Sequence, residues 1–183
     1  MVIPLRHEIR TRRLTLRRMT VTDALRVYEI QSNWNVTRML RMAPFPPTLD
    51  GVRHWLSLHE GEWASGSAYR FAVVFEQQVI GCADVGEILS GTGELGYWLD
   101  EAYWGRGIAS EAAEAVLNFA LGTVGLKRLL SGHTADNLPS GRVLTKLGFR
   151  WIDNVRFWSR SRQEYIIQCK YEFVTTLNDA AGR

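Results

Sequence analysis

Alternating and helically spaced hydrophobic positions along this chain predict a series of strands and helices. Leu14 and Leu16 alternate with polar residues between Arg12 and Arg18, which predicts an early strand. Further strands are predicted over residues 69–76, 79–88, 94–100, 128–134 and 164–173. The first two of these should form a hairpin across Gln77-Gln78.

Helical spacing predicts four helices: one begins near Thr22-Asp23, one after Thr48, one at Gly107 and one after Asn137. Residues 42–48 lie between the first two and contain three prolines, which rule out regular structure there. The element order is β–α–α–β–β–β–α–β–α–β–β. It predicts an α/β fold with a mixed, mostly antiparallel sheet and helices on both faces. Strands 94–100 and 128–134, joined through a helix, should be parallel neighbours.

Composition is that of a globular protein, with 46% hydrophobic and 22% charged residues, and predicts a single domain over residues 1–183 with a core over about residues 12–173. No apolar run reaches the roughly 20 residues needed to cross a bilayer. The basic N-terminus lacks the apolar stretch of a secretory signal, so we expect a cytoplasmic protein without membrane contact. Cys82 and Cys169 form no CxxC pair, so no metal site or disulfide is predicted and both should be structural thiols.

The net charge of +3 is scattered along the chain and does not favour direct nucleic-acid binding. A mild basic excess also suits a polyanionic small ligand.

The stretch EAYWGRGIASEAA places Gly105 and Gly107 between a predicted strand and a predicted helix. Free backbone N–H groups and the helix dipole make such a helix start an anion site. Glycines there remove side chains that would hold a phosphate away, Ala109 and Ser110 keep the turn small, and Arg106 adds a cation. The stretch therefore predicts a diphosphate site, with an ordinary tight turn as the alternative.

Two other phosphate-binding loops do not fit this stretch. A P-loop requires Lys followed by Ser or Thr after its glycines, and neither pair is present. The dinucleotide fingerprint requires GxGxxG directly after a strand, whereas GRGIAS has serine in the third position and DEAYW intervenes. The fingerprint is excluded even though Asp136 lies near the position of the ribose-binding acid.

The segment ELGYWLDEAYWGRGIASEA, followed by ADNLPSGRVLTKLGF, resembles the acetyl-CoA-binding core of the GNAT superfamily of N-acetyltransferases. More narrowly it resembles the RimJ/RimL branch of ribosomal-protein N-terminal acetyltransferases. The resemblance extends from Leu14 to Phe173 in element order and is specific from Glu94 to Phe149. It implies the GNAT fold, in which one parallel strand pair splays apart, and acetyl-CoA as co-substrate without a metal.

The cofactor-binding residues that the resemblance implies are Tyr97, Trp98, Leu99, Gly105, Arg106, Gly107, Ile108, Ala109, Ser110 and Asn137. The loop from Gly105 to Ser110 would hold the diphosphate through its N–H groups. The backbone of residues 97–99 would pair with the pantetheine arm as an added strand. For Asn137, a plain helix cap is the alternative. Trp104 departs from the Gln or Arg that is usual at its position.

Two catalytic residues are implied by the same resemblance. Glu94 matches the position of a general-base glutamate, with a solvent-facing carboxylate as the alternative. Leu144 occupies the position at which many relatives have a proton-donating tyrosine, and Ser140 matches a serine near the thiol in the RimJ/RimL branch. His133 is a further candidate base, for which a structural role is the alternative.

The expected acceptor is an N-terminal α-amine of a protein or peptide, with a ribosomal protein as one candidate partner. Deprotonating an α-amine at pH 7 costs only about 1 kcal/mol, against about 4.6 kcal/mol for a lysine, which suits a site without an obvious strong base. Trp34, Trp55 and Trp63, with the prolines of residues 44–47, should shape the acceptor pocket, or else pack in the core.

Two other functions stay open at this point. A small amine or an amino-acid antibiotic would be favoured if Asp50, Glu60 and Glu62 converge on the pocket. A non-catalytic acyl-CoA sensor is favoured by the missing tyrosine. The oligomeric state is left open, with a homodimer as one option.

Overall fold

The computed structural model describes residues 3–4 and 7–175, in which eight strands form one sheet in the order β1-β2-β3-β4-β5-β6-β8-β7. The strands are β1 Glu8–Arg10, β2 Thr15–Arg18, β3 Tyr69–Phe75, β4 Gln78–Leu89, β5 Thr92–Leu99, β6 Arg128–Thr134, β7 Arg150–Ser159 and β8 Glu164–Val174. The helices are α1 Ala24–Gln31, α2 Trp34–Thr37, α3 Leu49–Ser65, α4 Ile108–Phe119 and α5 Leu138–Lys146. The expected single domain over residues 1–183 extends beyond the described residues at both ends and stays a prediction.

Most elements agree with the sequence prediction, because local signals specify them. The strand over 128–134 is observed with the predicted bounds. Thr48 caps α3 by accepting a hydrogen bond from the Gly51 amide, and Asn137 caps α5 by accepting one from the amide of Ser140. Gly148, at φ 87°, ends the α5 segment as predicted.

The N-terminal region differs from the prediction. The early strand begins at Thr15 and not at Arg12, because Thr11 forms a turn with Leu14: the Thr11 amide donates to the Leu14 carbonyl at 3.0 Å, and the Leu14 amide donates to Thr11 Oγ1 at 2.9 Å. On the other side of this turn lies β1, which was not predicted and pairs antiparallel with β2. The short helix α2 was also missed.

Helices cover both faces of the sheet, as predicted. On the first face, α4 buries Ala112, Ala113 and Val116 against a cluster that includes Phe71 and Leu129. On the second face, α1 and α3 pack on another cluster that includes Ala72 and Cys82. Burial raises the pKa of the Cys82 thiol well above its usual range, whereas Cys169 is only half-buried.

Strands β5 and β6 form the parallel pair that the element order predicted. Their register runs only from Thr92↔Arg128 to Glu94↔Leu130. Beyond Glu94 the described residues of the two strands form no further pair, although Ser131 Oγ still donates to the Leu95 carbonyl at 2.8 Å. The sheet therefore opens between residues 95–99 of β5 and 131–134 of β6, and α4 begins shortly after β5.

Candidate active site

The glycine loop after β5 has a left-handed backbone at both glycines, with φ 72° at Gly105 and 71° at Gly107. A Cβ on Gly105 would meet no atom within 4 Å, and one on Gly107 would meet only Arg13 Nη2 at 3.7 Å. The protein's own backbone conformation therefore requires glycine here, and crowding by other residues does not. Gly107 is the N-cap of α4, so the amides of the first helical turn face the open side of this loop.

The side chain of Arg106, expected to add a cation, lies over the ring of Tyr103 with its guanidinium carbon 5.4 Å from the ring centroid. Its carbonyl accepts a hydrogen bond from Arg13 Nη1 at 2.9 Å. The loop is thus fixed by a residue from the other end of the chain.

The β1–β2 turn braces the start of α4 through Glu111. Arg13 donates to this carboxylate from Nε at 2.7 Å and from its backbone amide at 2.9 Å, and Thr11 Oγ1 donates at 2.6 Å. Burial alone would raise the pKa of Glu111, but the hydrogen bonds from Thr11 and Arg13 lower it. This brace was missed by the sequence analysis, because nothing local links residues about one hundred positions apart.

A groove of about 960 Å³ adjoins the glycine loop and follows the outer side of α4. Its lining includes Gly107 and Ser110 of the loop region. It also includes five cationic side chains, namely Arg10, Arg12, Arg13, Arg106 and Lys146, with three carboxylates, Glu8, Glu111 and Glu114. The groove is open, polar and weighted toward positive charge.

The side chain of Tyr97 reaches across the open part of the sheet to the first turn of α5. Its hydroxyl lies 2.8 Å from Ser140 Oγ and donates to the Ser140 carbonyl at 3.1 Å. Burial raises the pKa of Tyr97 to about 12, against the opposing effect of the Ser140 hydrogen bond. Leu144, one turn further along α5, is fully buried in the core. A tyrosine hydroxyl is therefore present near Ser140, but it comes from β5.

The side chain of Asn137 accepts from the Ser140 amide at 3.3 Å, so its expected alternative as a helix cap is realised. Asp136, which precedes it, binds two arginines: Arg38 Nη2 lies 2.6 Å from Oδ2, and Arg162 Nη2 lies 3.0 Å from Oδ1. Burial would raise the pKa of Asp136, but the hydrogen bond from Arg162 and the two positive charges lower it to about 2. These two ion pairs connect the β6–α5 loop to the end of α2 and to the β7–β8 turn.

The candidate base Glu94 is an ion-pair partner. Both of its oxygens accept from Arg41 Nη1, at 2.9 and 3.1 Å, and Lys170 Nζ lies 3.9 Å from Oε1. Arg41 also binds Glu87 at 2.7 Å. The carboxylate therefore lies on the second face of the sheet within a charged cluster and does not simply face solvent.

The other candidate base, His133, is buried on the first face with α5. Its Nδ1 lies 2.8 Å from the Thr134 carbonyl, and its Nε2 is 3.4 Å from the Tyr171 hydroxyl. A Cβ on Gly141 would come within 2.7 Å of Nε2, so the ring packs directly against α5. These contacts indicate a structural role.

A cavity of about 460 Å³ lies on the second face of the sheet, beside the open part of β5. We call it the apolar pocket; its lining comprises Gln31, Leu40, Met42, Ala43, Pro44, Pro47, Thr48, Gly51, Val52, His54, Trp55, Leu58, Trp98 and Arg160. Trp98 connects it to the strand that was expected to bind pantetheine. The proline segment and Trp55 form part of its walls, and their expected role in binding the acceptor stays a prediction.

The other two tryptophans lie elsewhere. Trp34 stacks on Phe45 with ring centroids 4.8 Å apart, behind the proline segment. Trp63 packs in the core, where its indole N–H donates to the Ile3 carbonyl at 3.1 Å. The side chain of Trp63 is nearly fully buried on the first face, so its alternative, packing in the core, is realised.

The three carboxylates considered in the sequence analysis do not line the apolar pocket. Asp50 is almost fully exposed and pairs with Arg53, Glu60 pairs with Arg18, and Glu62 binds Arg70 at 2.7 Å. The structural condition that would favour a cationic small amine is therefore not met.

Among the described residues there is no cluster of three side chains suited to hold a metal ion. Over the same part of the chain, none of the helices combines the length and the apolar character that crossing a membrane requires.

Comparisons with known proteins agree with this geometry. The family described as acetyltransferase (GNAT) domain matches residues 13–150. The uncharacterized N-acetyltransferase p20 of Bacillus licheniformis is 28% identical over 160 residues, which cover 85% of this chain and 89% of that protein. The ribosomal-protein-serine acetyltransferase of Escherichia coli is 35% identical over 86 residues, about half of either chain. The structure of RimJ from Mycobacterium smegmatis, in complex with CoA-disulfide, superposes with a TM-score of 0.80 at 19% identity, covering 88% of this chain and 81% of that one.

Proposed function

This chain belongs to the GNAT acetyltransferase family, and from that membership we propose that it transfers the acetyl group of acetyl-CoA to the α-amine of a protein or peptide N-terminus. The observation that carries the proposal is the open β5–β6 pair, which is followed after residues 100–104 by the glycine loop and the first turn of α4. An extended thioester arm fits the opening, and a diphosphate fits the helix start.

The cofactor would be held mainly by backbone. The amides from Gly105 to Ser110, including those of Arg106, Ile108 and Ala109, would donate to the diphosphate. The free edge of residues 97–99 would pair with the pantetheine arm. The basic groove beside the loop would accommodate the adenosine end with its phosphate.

In the proposed reaction, the neutral α-amine attacks the thioester carbonyl, a C–N bond forms and the C–S bond breaks. The amine loses one proton, and the departing thiolate gains one. Ser140 is the proposed donor to the thiolate, the Tyr97 hydroxyl at 2.8 Å would replace that proton, and water entering as coenzyme A leaves would return a proton to Tyr97. Because burial keeps Tyr97 protonated over the physiological pH range, it can serve as a reservoir of that proton.

We propose that water removes the proton from the amine, because Glu94 already has both oxygens on Arg41. A direct role of Glu94 as base stays a prediction, as do the cofactor contact of Asn137, the cytoplasmic location and the homodimer. The protein-directed acceptor is supported by the likeness to the ribosomal-protein-serine acetyltransferase of Escherichia coli.

Release of coenzyme A from acetyl-CoA, measured with a panel of peptides and small amines, tests the proposal. We expect release with peptides that have a free N-terminus and none with the same peptides after N-terminal blocking. Turnover of polyamines or aminoglycosides in preference to peptides would contradict the acceptor. Tight acetyl-CoA binding without turnover of any amine would instead identify a sensor.

A further inference from the structure

The apolar pocket has a composition that selects one kind of acceptor. Besides His54 and Arg160, its lining consists of uncharged residues, and within the described part of the chain no carboxylate lines it. Met42 and Leu58 are 64% and 49% exposed although they face a cavity. Apolar side chains left uncovered around a cavity mark a place where an apolar group binds.

The pocket is continuous with the proposed site of chemistry. Trp98 lies in the part of β5 that has no partner in β6, and its side chain forms part of the pocket wall. Tyr97, the preceding residue, points to the opposite face of the sheet and contacts Ser140. Because successive side chains of a strand point to opposite faces, the proposed proton donor lies on one face of the sheet and the apolar pocket on the other.

Arg160 is the cationic residue at the edge of the apolar pocket. It is exposed in the β7–β8 turn at the edge of the cavity, and over the described residues its guanidinium forms no salt bridge. Arg162, two residues further along the same turn, is paired with Asp136 and does not line the cavity. An unpaired guanidinium beside an apolar cavity favours a ligand carboxylate and disfavours a ligand cation.

We propose that the acceptor of this enzyme is an α-amine that carries a bulky apolar side chain, with a carboxylate close to the amine. The apolar pocket holds the side chain, and Arg160 binds the carboxylate. This inference rests on the proposed acetyl transfer and specifies its substrate class. The carboxylate belongs either to an acidic second residue of a peptide or to the acceptor amino acid itself.

The test compares kcat/KM for four amidated peptides that begin Leu-Asp, Leu-Lys, Ser-Asp and Lys-Asp, together with free leucine. We expect Leu-Asp to exceed each of the other three peptides by at least tenfold. The two sources of the carboxylate are distinguished by comparing Leu-Asp with free leucine. Preference for Leu-Asp supports both the carboxylate site at Arg160 and the peptide acceptor, whereas preference for free leucine supports the carboxylate site and contradicts the peptide acceptor. Equal or better turnover of Ser-Asp or Lys-Asp would overturn the apolar selection.

The variant Arg160→Glu tests the charge directly. It should reverse the order of Leu-Asp and Leu-Lys and change their ratio at least tenfold. The matched control is Arg156→Glu on β7, whose guanidinium lies over the Tyr165 ring outside the pocket and whose replacement should leave that ratio unchanged. An unchanged ratio in Arg160→Glu would overturn the carboxylate assignment.

A second variant places a carboxylate on the pocket wall. Met42→Glu should raise kcat/KM for Lys-Asp relative to Leu-Asp at least tenfold, because a lysine side chain would gain a partner inside the cavity. Failure of the whole panel, with acetyl-CoA binding intact by calorimetry, would contradict the proposed acetyl transfer itself. Turnover confined to small or cationic acceptors would contradict only the substrate class.

Discussion

The Tyr97 hydroxyl lies 2.8 Å from Ser140 Oγ, although 43 positions separate the two residues. The contact joins β5 to the first turn of α5 across the opening in the sheet. It brings a buried tyrosine to the serine that the resemblance implied near the thiol. Leu144, the residue at the usual tyrosine position, packs in the core instead.

This pair predicts a coupled effect on turnover. Ser140→Ala and Tyr97→Phe should each lower kcat at least tenfold while the Kd for acetyl-CoA changes by no more than a few-fold. The double variant should lose little more than either single variant, because the two hydroxyls act in one proton path. Stopped assays of coenzyme A release give kcat, and calorimetry gives Kd. Full turnover of Ser140→Ala across pH 6–9 would remove Ser140 from the mechanism.

The pH–rate profile should rise with deprotonation of the acceptor amine near pH 8 and stay level up to pH 9. The pKa of Tyr97 is about 12, so it loses no proton in this range. Glu94→Gln should leave the profile unchanged, because Arg41 occupies both oxygens of Glu94. A shifted profile in that variant would restore Glu94 as the base.

Gly107→Val should weaken acetyl-CoA binding at least tenfold, or about 1.4 kcal/mol. A branched side chain is strained at φ 71° and would displace the amides proposed to hold the diphosphate. Gly107→Asn is the matched control, because asparagine tolerates the left-handed conformation and should lose less. Titration calorimetry is performed with acetyl-CoA and with pantetheine, which lacks the diphosphate. The substitution should weaken the binding of acetyl-CoA and barely change that of pantetheine. If Gly107→Val has the melting temperature and the acetyl-CoA affinity of the wild type, the loop is an ordinary turn and not a diphosphate site.

Arg13→Ala should weaken acetyl-CoA binding several-fold, although Arg13 lies on the β1–β2 turn. Its removal frees the Arg106 carbonyl and leaves Glu111 with fewer donors at the start of α4. Arg53→Ala is the control, because that side chain is largely exposed, pairs only with Asp50 and lines neither the basic groove nor the apolar pocket. Equal affinities of the two variants would mean that the brace does not hold the loop.

Because Asp136 is paired with two arginines, we expect the protein to lose stability in acid. Its folded pKa of about 2 lies below the ordinary 3.8, so its contribution is present above pH 3.8 and is lost as the pH falls toward 2. The melting temperature of Asp136→Asn should therefore fall less between pH 4 and pH 2 than that of the wild type. The effect will be modest, because the pair is partly exposed. If the melting temperatures of the two proteins fall equally between pH 4 and pH 2, Asp136 does not contribute to stability in this range.

Local signals account for what the sequence predicted well. Asn137 and Thr48 act through neighbours three residues away, and the helix between strands β5 and β6 allows only the parallel arrangement that is observed. The contacts of Tyr97 with Ser140 and of Arg13 with Glu111 join distant positions and leave no periodic trace. The choice between pocket and core for Trp63 stayed open, because a tryptophan at helical spacing looks the same in either.

The opening between β5 and β6 leaves the backbone of residues 95–99 without the second neighbour that an inner strand normally has. Inner strands pair on both sides, and we propose that here one side is taken by the pantetheine arm of the cofactor. Pantetheine bound on that side would supply hydrogen bonds to the backbone of residues 97–99. In this part of the sheet the proposed cofactor site is therefore a place for one added strand, which only a bound molecule would complete.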